Sequence, residues 1–317
     1  MPKPSFPKTI FEFNRQFSTE SECLDFLIQS RWSDGFVCSR CGNKDYYWIS
    51  TRKLLRCKKC SYDASVTAGT VMHRSKMPLK LWFHAAYLVA TLTPGMSALQ
   101  FQRQIGLSSY QTAFTMLHKL RAAMVRTGRD RISGTVEVDE TYIGGERPGK
   151  VGRGALGKVI VVGAVDLRSK YANRVRLQVI PNVTQATLTE FVKANIVEGS
   201  TIKTDDWLGY NKLVNVGYNH IVSPELTHIH RVFSNLKTWL IGTHHGVSKQ
   251  HLQAYLNEYA FRFNRRKTPM AAFQTVLGLT KERLGPTYKG LYAVSKGQKG
   301  WIHPTNPLVK VFSELLK

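Results

Sequence analysis

Two Cys-x2-Cys pairs, a helix–turn–helix pattern and short β-branched strands around a single helix predict an α/β core preceded by a zinc ribbon and a helix-turn-helix region. The 317 residues and their 43% hydrophobic content suit packed cores, and the length suggests about two domains. Four textures divide the chain: a cysteine-bearing region over 1–75, a helical region over 76–130, an α/β region over 131–280 and a basic, turn-rich tail over 281–317 with Tyr288, Tyr292 and Trp301.

The 45 Lys and Arg against 21 Asp and Glu leave a net charge of +24 and a pI near 10.0. Each cation that neutralises a phosphate releases counterions, so the expected partner is nucleic acid, bound in a salt-dependent way. The longest apolar run, Val159 to Val165, has seven residues, far short of the ~20 that cross a bilayer, so no membrane is expected. The start, MPKPSFPKTIFEFNRQ, lacks the apolar stretch of a secretory signal. Four of the five cysteines sit in CxxC pairs, the habit of metal binding in a reducing compartment. The expectation is a cytoplasmic protein.

The first elements are a short helix over Ser21–Gln29 and then the cysteine cluster. Cys38-x2-Cys41 and Cys57-x2-Cys60, fifteen residues apart, have the spacing of a four-thiolate zinc site. Each pair forms a knuckle that offers two sulfurs to one face of a tetrahedron, and Tyr46 to Leu54 reads as the hairpin between them. So small a unit has little core, and the metal supplies its folding energy. Eight basic and two acidic residues between Arg31 and Cys60 make the ribbon a nucleic-acid contact as well. Cys23 stands apart and reads as a small buried residue.

Pro78 opens the next helix, which Thr93-Pro94-Gly95 ends. Ser97 caps a second, stopped at Gly106, and Ser109 caps a third with Ala113, Leu117, Leu120 and Met124 inward. Helix, short glycine turn, helix is the helix-turn-helix pattern. Tyr110, Gln111, Thr112, Thr115, His118 and Lys119 would then face the major groove of duplex DNA.

In the α/β region, Thr135 to Glu140 alternates as a strand with Asp139 near its end. A Gly-rich loop with Arg147, Lys150 and Arg153 follows, then strands over 159–165 and 174–180, a helix from Thr184, and a strand over Thr201–Thr204 that runs into Asp205-Asp206. Acids at strand ends can meet on adjacent strands, as paired divalent ions for phosphodiester chemistry require.

The zinc ribbon, VEVDETYIGG (136–145), TDDWLGY (204–210) and NLKTWLIGTHHGVSKQHLQAYLNEYAFRFNRR (235–266) together resemble bacterial insertion-sequence transposases of the subgroup with an N-terminal zinc ribbon and a ribonuclease-H-like catalytic core of DDE type. The resemblance covers nearly all of the chain except the last thirty or so residues. It implies an enzyme that binds the terminal inverted repeats of its element, hydrolyses the DNA at their ends and joins the 3′-hydroxyls to target DNA. It also implies a homodimer or higher oligomer on DNA, at work on the bacterial nucleoid. Asp139 matches the first family aspartate and Asp205 the second, the ligands of catalytic Mg²⁺ or Mn²⁺, with Zn²⁺ structural at the cysteines. Asp206 sits where the family often has glycine and reads as a bystander.

The third ligand departs from the pattern. The family has a glutamate seven residues before a lysine, and seven before Lys237 stands His230. Some relatives use asparagine, which brings in Asn235. His230 and Lys237 lie on one edge of the apolar stripe and Asn235 on the other. Spacing favours His230; the oxygen preference of Mg²⁺ favours Asn235. Both stay open, with Glu258 a distant third. Lys237 is placed to contact a phosphate, and Arg262, Arg265 and Arg266 read as a phosphate-tracking edge along one helix with Phe261 and Phe263. His244, His245 and His251 have no acid or Cys beside them and read as ordinary polar residues. The missing third acid keeps a second possibility alive, a non-catalytic zinc-ribbon and helix-turn-helix DNA-binding regulator or a decayed transposase. An RNA-processing component is disfavoured by the helix-turn-helix pattern.

Overall fold

The computed structural model describes residues 7–125, 128–144, 158–168, 171–280, 286, 287 and 291. Arg147, Lys150, Arg153, Tyr288, Tyr292 and Trp301 lie outside the described residues. Two compact units emerge, one from Met1–Met124 with Thr268–Tyr288 and one from Val125–Lys267 with Lys289–Lys317. No helix among the described residues is long and apolar enough to cross a membrane.

The first unit begins with α1 (Ile10–Gln16) and α2 (Glu20–Arg31). Thr19 opens α2 through a capping box with Glu22, which satisfies two otherwise orphaned backbone donors. Three short strands follow, β1 (Tyr46–Ile49), β2 (Leu54–Cys57) and β3 (Asp63–Ser65), in an antiparallel sheet. Arg56 grips Asp63 with Nε and Nη2 at 2.6 and 2.9 Å, which pins β3 to β2. Cys23 is fully buried, as its small apolar character suggests.

Three helices then pack together: α3 (Leu79–Thr91), α4 (Ala98–Ile105) and α5 (Tyr110–Ala123). The start of α3 is held from a distance, its Leu79 and Lys80 N–H groups donating to the Glu20 carboxylate. Ser97 caps α4, and Gly106 ends it at φ 71°, a left-handed conformation that glycine adopts without strain. A last helix, α9 (Pro269–Thr280), packs against α3 and α5, and Phe273 meets Phe13, Phe17 and Tyr87 edge-on. The sequence reading runs the α/β region to 280; this helix contributes its apolar face to the first unit.

One expectation about α5 is corrected. Tyr110 and Gln111 are exposed and Thr112 and Thr115 half-buried, but His118 and Lys119 are buried. The outward stripe assumed a helix covered on one face. Instead α5 touches α3, α4 and α9, and every residue from Met116 to Ala123 is buried.

The second unit is a five-stranded sheet in the order β6-β5-β4-β7-β8. Its strands are β4 (Thr135–Ile143), β5 (Val159–Arg168), β6 (Tyr171–Ile180), β7 (Thr201–Thr204) and β8 (Asn219–Val222). The first three form an antiparallel meander, and β7 and β8 run parallel to β4. Helix α6 (Gln185–Asn195) covers one face with Leu188, Phe191 and Val192 against Val136, Val138 and Ile202. Helices α7 (Thr227–His244) and α8 (Leu252–Phe263) cover the other, with Ile229, Phe233, Leu236 and Leu256 over Val161, Val175 and Val179. This is a ribonuclease-H-like arrangement, with helices on both faces of a mixed sheet and β8 left as an exposed edge.

Candidate active site and zinc centre

Alternation along β4 sends Val136 and Val138 to the α6 face and so sends Glu137 and Asp139 to the α7 face. The parallel register pairs Glu137 with Lys203; β7 ends one residue later at Thr204, and Asp205 follows directly. The acids, 66 positions apart in the chain, come close enough for the Asp205 charge to act on the Asp139 carboxyl. Across β4 on the other side, Asp139 pairs with Gly163. A Cβ at residue 163 would stand 2.7 Å from the Phe233 ring and 2.9 Å from Ile229 Cδ1. The bare glycine lets α7 settle onto the sheet beside Asp139.

The settled helix brings His230 Nε2 to 3.1 Å from Asp139 Oδ2. Asn235 is exposed and, five residues on, lies about 140° round an unbroken helix; it faces elsewhere. Lys237 is exposed two turns beyond His230 on the same edge. Asp205 accepts from the Trp207 N–H at 3.2 Å, a local turn that fixes its carboxylate, and Asp206 is exposed. Glu258 is buried and pairs with Arg262 at 3.7 Å.

The start of α7 has no capping side chain of its own. Glu137 reaches in from β4: Oε2 accepts from the His228 and Ile229 N–H groups at 2.8 and 2.9 Å, and Oε1 lies 2.8 Å from His228 Nδ1. A carboxylate at a helix N-terminus also meets the positive end of the dipole. Glu137 was not singled out from sequence, although its position two residues before Asp139 on one strand face was a readable signal. Glu140 and Tyr210 were missed too: the fully buried Tyr210 donates to Glu140 Oε2 at 2.9 Å, and burial with the Glu140 charge pushes that phenol well above its usual pKa.

Burial pushes the Asp139 carboxyl up to about 6, with the Glu140 and Asp205 charges adding to it; the Glu140 N–H and His230 pull the other way. A desolvated carboxylate among other acids is a place that a cation relieves. Two carboxylates and an imidazole make a donor set that fits Mg²⁺ and, with nitrogen included, Mn²⁺ better.

The expected phosphate-tracking edge is corrected. Helix α8 ends at Phe263, so Arg265 and Arg266 lie beyond it. Arg262 turns inward to Glu258 with its side chain 12% exposed. Arg265 and Arg266 stack on the Phe261 and Phe263 rings at 4.0 and 4.1 Å, and Arg266 also donates to the Ala172 and Asn173 carbonyls. His244 lies edge-on to the Trp239 and Tyr255 rings, a packing role.

In the first unit the four cysteine sulfurs lie within 4.8 Å of one another, with Cys38–Cys60 and Cys41–Cys57 both at 3.6 Å. Those separations are far too long for disulfides and close to the ~3.8 Å edge of a tetrahedron with Zn–S bonds of about 2.3 Å. Burial opposes ionisation of Cys57, yet the Cys60 and Lys59 N–H groups bring its thiol down, while burial and the three neighbouring sulfurs push Cys60 up.

Comparison with known proteins finds matches over the regions that hold both sets of residues. Residues 131–264 match an ISXO2-like transposase domain of the DDE class, and residues 18–63 match a transposase zinc-ribbon domain. The chain thus carries a transposase domain behind a transposase zinc ribbon. An uncharacterized protein in the transposable element ISH50 of Halobacterium salinarum is 26% identical over 299 residues, covering 83% of this chain and 97% of that relative. The transposase domain spans β4 to α8 and holds Asp139, Asp205 and His230; the ribbon match holds all four zinc-site cysteines.

Proposed function

We propose that this transposase binds the terminal inverted repeats of its element as duplex DNA, cleaves at their ends and joins the 3′-hydroxyls to target DNA. The observation that carries the reading is Asp139 on β4 with His230 against it and the charge of Asp205, just past the end of β7, acting on it. Asp139, Asp205 and His230 would hold the divalent ions, Mg²⁺ or Mn²⁺, whose contribution would be to activate the attacking oxygen and to stabilise the leaving one. Glu137 anchors the helix that presents His230, and Tyr210 restrains Glu140 beside the acids. Lys237 contacts a phosphate next to the scissile bond. Asn235 in this reading is a surface residue. Cutting two ends together suits a homodimer or larger assembly on DNA, and the helix-turn-helix with the ribbon supplies the grip on the duplex.

The test uses duplexes carrying the inverted repeats that bracket the gene. Wild-type protein cleaves them in Mg²⁺ or Mn²⁺, while Asp139→Ala and Asp205→Ala each lose cleavage by a factor of 10³ or more (order of magnitude) and keep DNA binding. Unchanged cleavage in both variants overturns the assignment. Binding without cleavage by the wild type in either metal favours the non-catalytic reading.

A further inference from the structure

We propose that the cleft at the start of α5 is a receptor for a backbone phosphate of duplex DNA. The cleft has a volume of about 390 Å³ and lies wholly within the first unit. Its walls bring Arg74 and Lys76, from the segment before α3, to Gln111, Thr112, Thr115 and Lys119 of α5. Three of those side chains are cations, and no carboxylate lines the cleft.

Lys119 decides what belongs there. It is 8% exposed, and its Nζ donates to the His73 carbonyl at 2.9 Å and lies 5.9 Å from the Trp82 ring centre. Those contacts satisfy one N–H and leave the charge unneutralised; no ion pair to Lys119, Arg74 or Lys76 occurs among the described residues. Burial lowers the Lys119 pKa, the direction expected of an ammonium without a counter-ion. The deficit is built into the sequence, since no Asp or Glu occurs between Asp63 and Asp130. One turn before Lys119 on the same face of α5, Thr115 Oγ1 is buried without a hydrogen-bond partner. The Ser109 side chain makes no cap bond to α5, and the first turn carries no acid. A buried cation and an unused hydroxyl on one flank of α5 line one space with two further cations. That is the chemistry of a phosphate site.

A DNA phosphate, not a free one, is the occupant. α5 is the second helix of the proposed helix-turn-helix, and the exposed Tyr110 and Gln111 at its start stand beside the cleft mouth. A phosphate seated there fixes the angle at which the helix meets the groove and carries no sequence information. This inference rests on the reading of the chain as a DNA-binding transposase.

The experiment measures binding of full-length protein to a random-sequence duplex of about 30 base pairs across a salt series, since a phosphate contact acts on any sequence. Two variants are compared, Arg74→Ala/Lys76→Ala and the isosteric Gln111→Glu. The second adds an acid to the first turn, which favours the helix dipole and so maintains or raises thermal stability. Both should weaken binding at least tenfold, and the slope of log K against log salt should fall by about one per lost phosphate contact. Inorganic phosphate alone, titrated by calorimetry, should bind only in the millimolar range or weaker. Unchanged duplex affinity and slope in both variants overturn the proposal. So does micromolar, Lys76-dependent binding of inorganic phosphate with duplex binding unaffected, which would make the cleft a small-anion site. Cleavage of inverted-repeat duplexes is scored separately: wild-type protein that binds duplex through the cleft but never cuts sinks the transposase reading and leaves the phosphate receptor standing.

Discussion

Asp139 carries a charge that its surroundings disfavour. With a folded pKa raised from 3.8 to about 6, the native state holds that proton more tightly than the unfolded chain. Folding is thus favoured below pH 4, and the advantage fades as pH rises through 6. In metal-free protein, Asp139→Asn should raise stability at pH 8 by up to about 3 kcal/mol, with the gain vanishing below pH 4; denaturant melts at the two pH values check it. The neighbouring His230 yields a sharper residue-level expectation. His230→Ala should lower cleavage by about 10² or more and raise the metal concentration needed, whereas Asn235→Ala should leave both unchanged. Equal losses in the two variants would contradict the geometry. Sequence could rank neither residue, because spacing and ligand chemistry pulled in opposite directions; what decides is where α7 sits, and that is set by Gly163 and Phe233, residues without chemistry of their own.

Among the elements, α7 is the one whose placement matters most to the candidate site. Its N-terminus is tied to the acid strand through Glu137, so one strand carries both a proposed ligand and the anchor of its partner helix. Glu137→Gln keeps an acceptor for the backbone N–H groups and should retain most cleavage. Glu137→Leu leaves those donors buried and unmet, costs about 1–3 kcal/mol, and should raise the metal requirement more than it lowers the maximal rate. A metal titration of cleavage by both variants measures the difference. Most elements could be read beforehand, because their signals are local: Ser97 and Gly106 bracket α4, Thr184 precedes α6, and apolar–polar alternation over Thr135–Asp139 marks the start of β4. α1 and β8 escaped notice, being seven and four residues long, and short elements carry too little periodicity to stand out.

At the scale of the whole molecule, the partition into units was the least readable feature. Pro269–Thr280 is apolar on nearly every side, and periodicity cannot say which core such a helix joins. Among the described residues, the two clusters flanking the large sheet draw on side chains between Ile132 and Phe263. A fragment spanning 128–267 should therefore unfold cooperatively on its own, as followed by circular dichroism. A fragment ending at 124 lacks Phe273, and Phe273→Ala in the full chain should cost about 3–5 kcal/mol, read as a lowered midpoint for the first unit. Chains emerge from the ribosome N-terminus first, and domains generally fold in that order. Here the opening unit waits for its closing helix: a message broken just before codon 268 would yield the complete five-stranded sheet with its helices and, ahead of it, a first unit with a hole where an aromatic ring belongs.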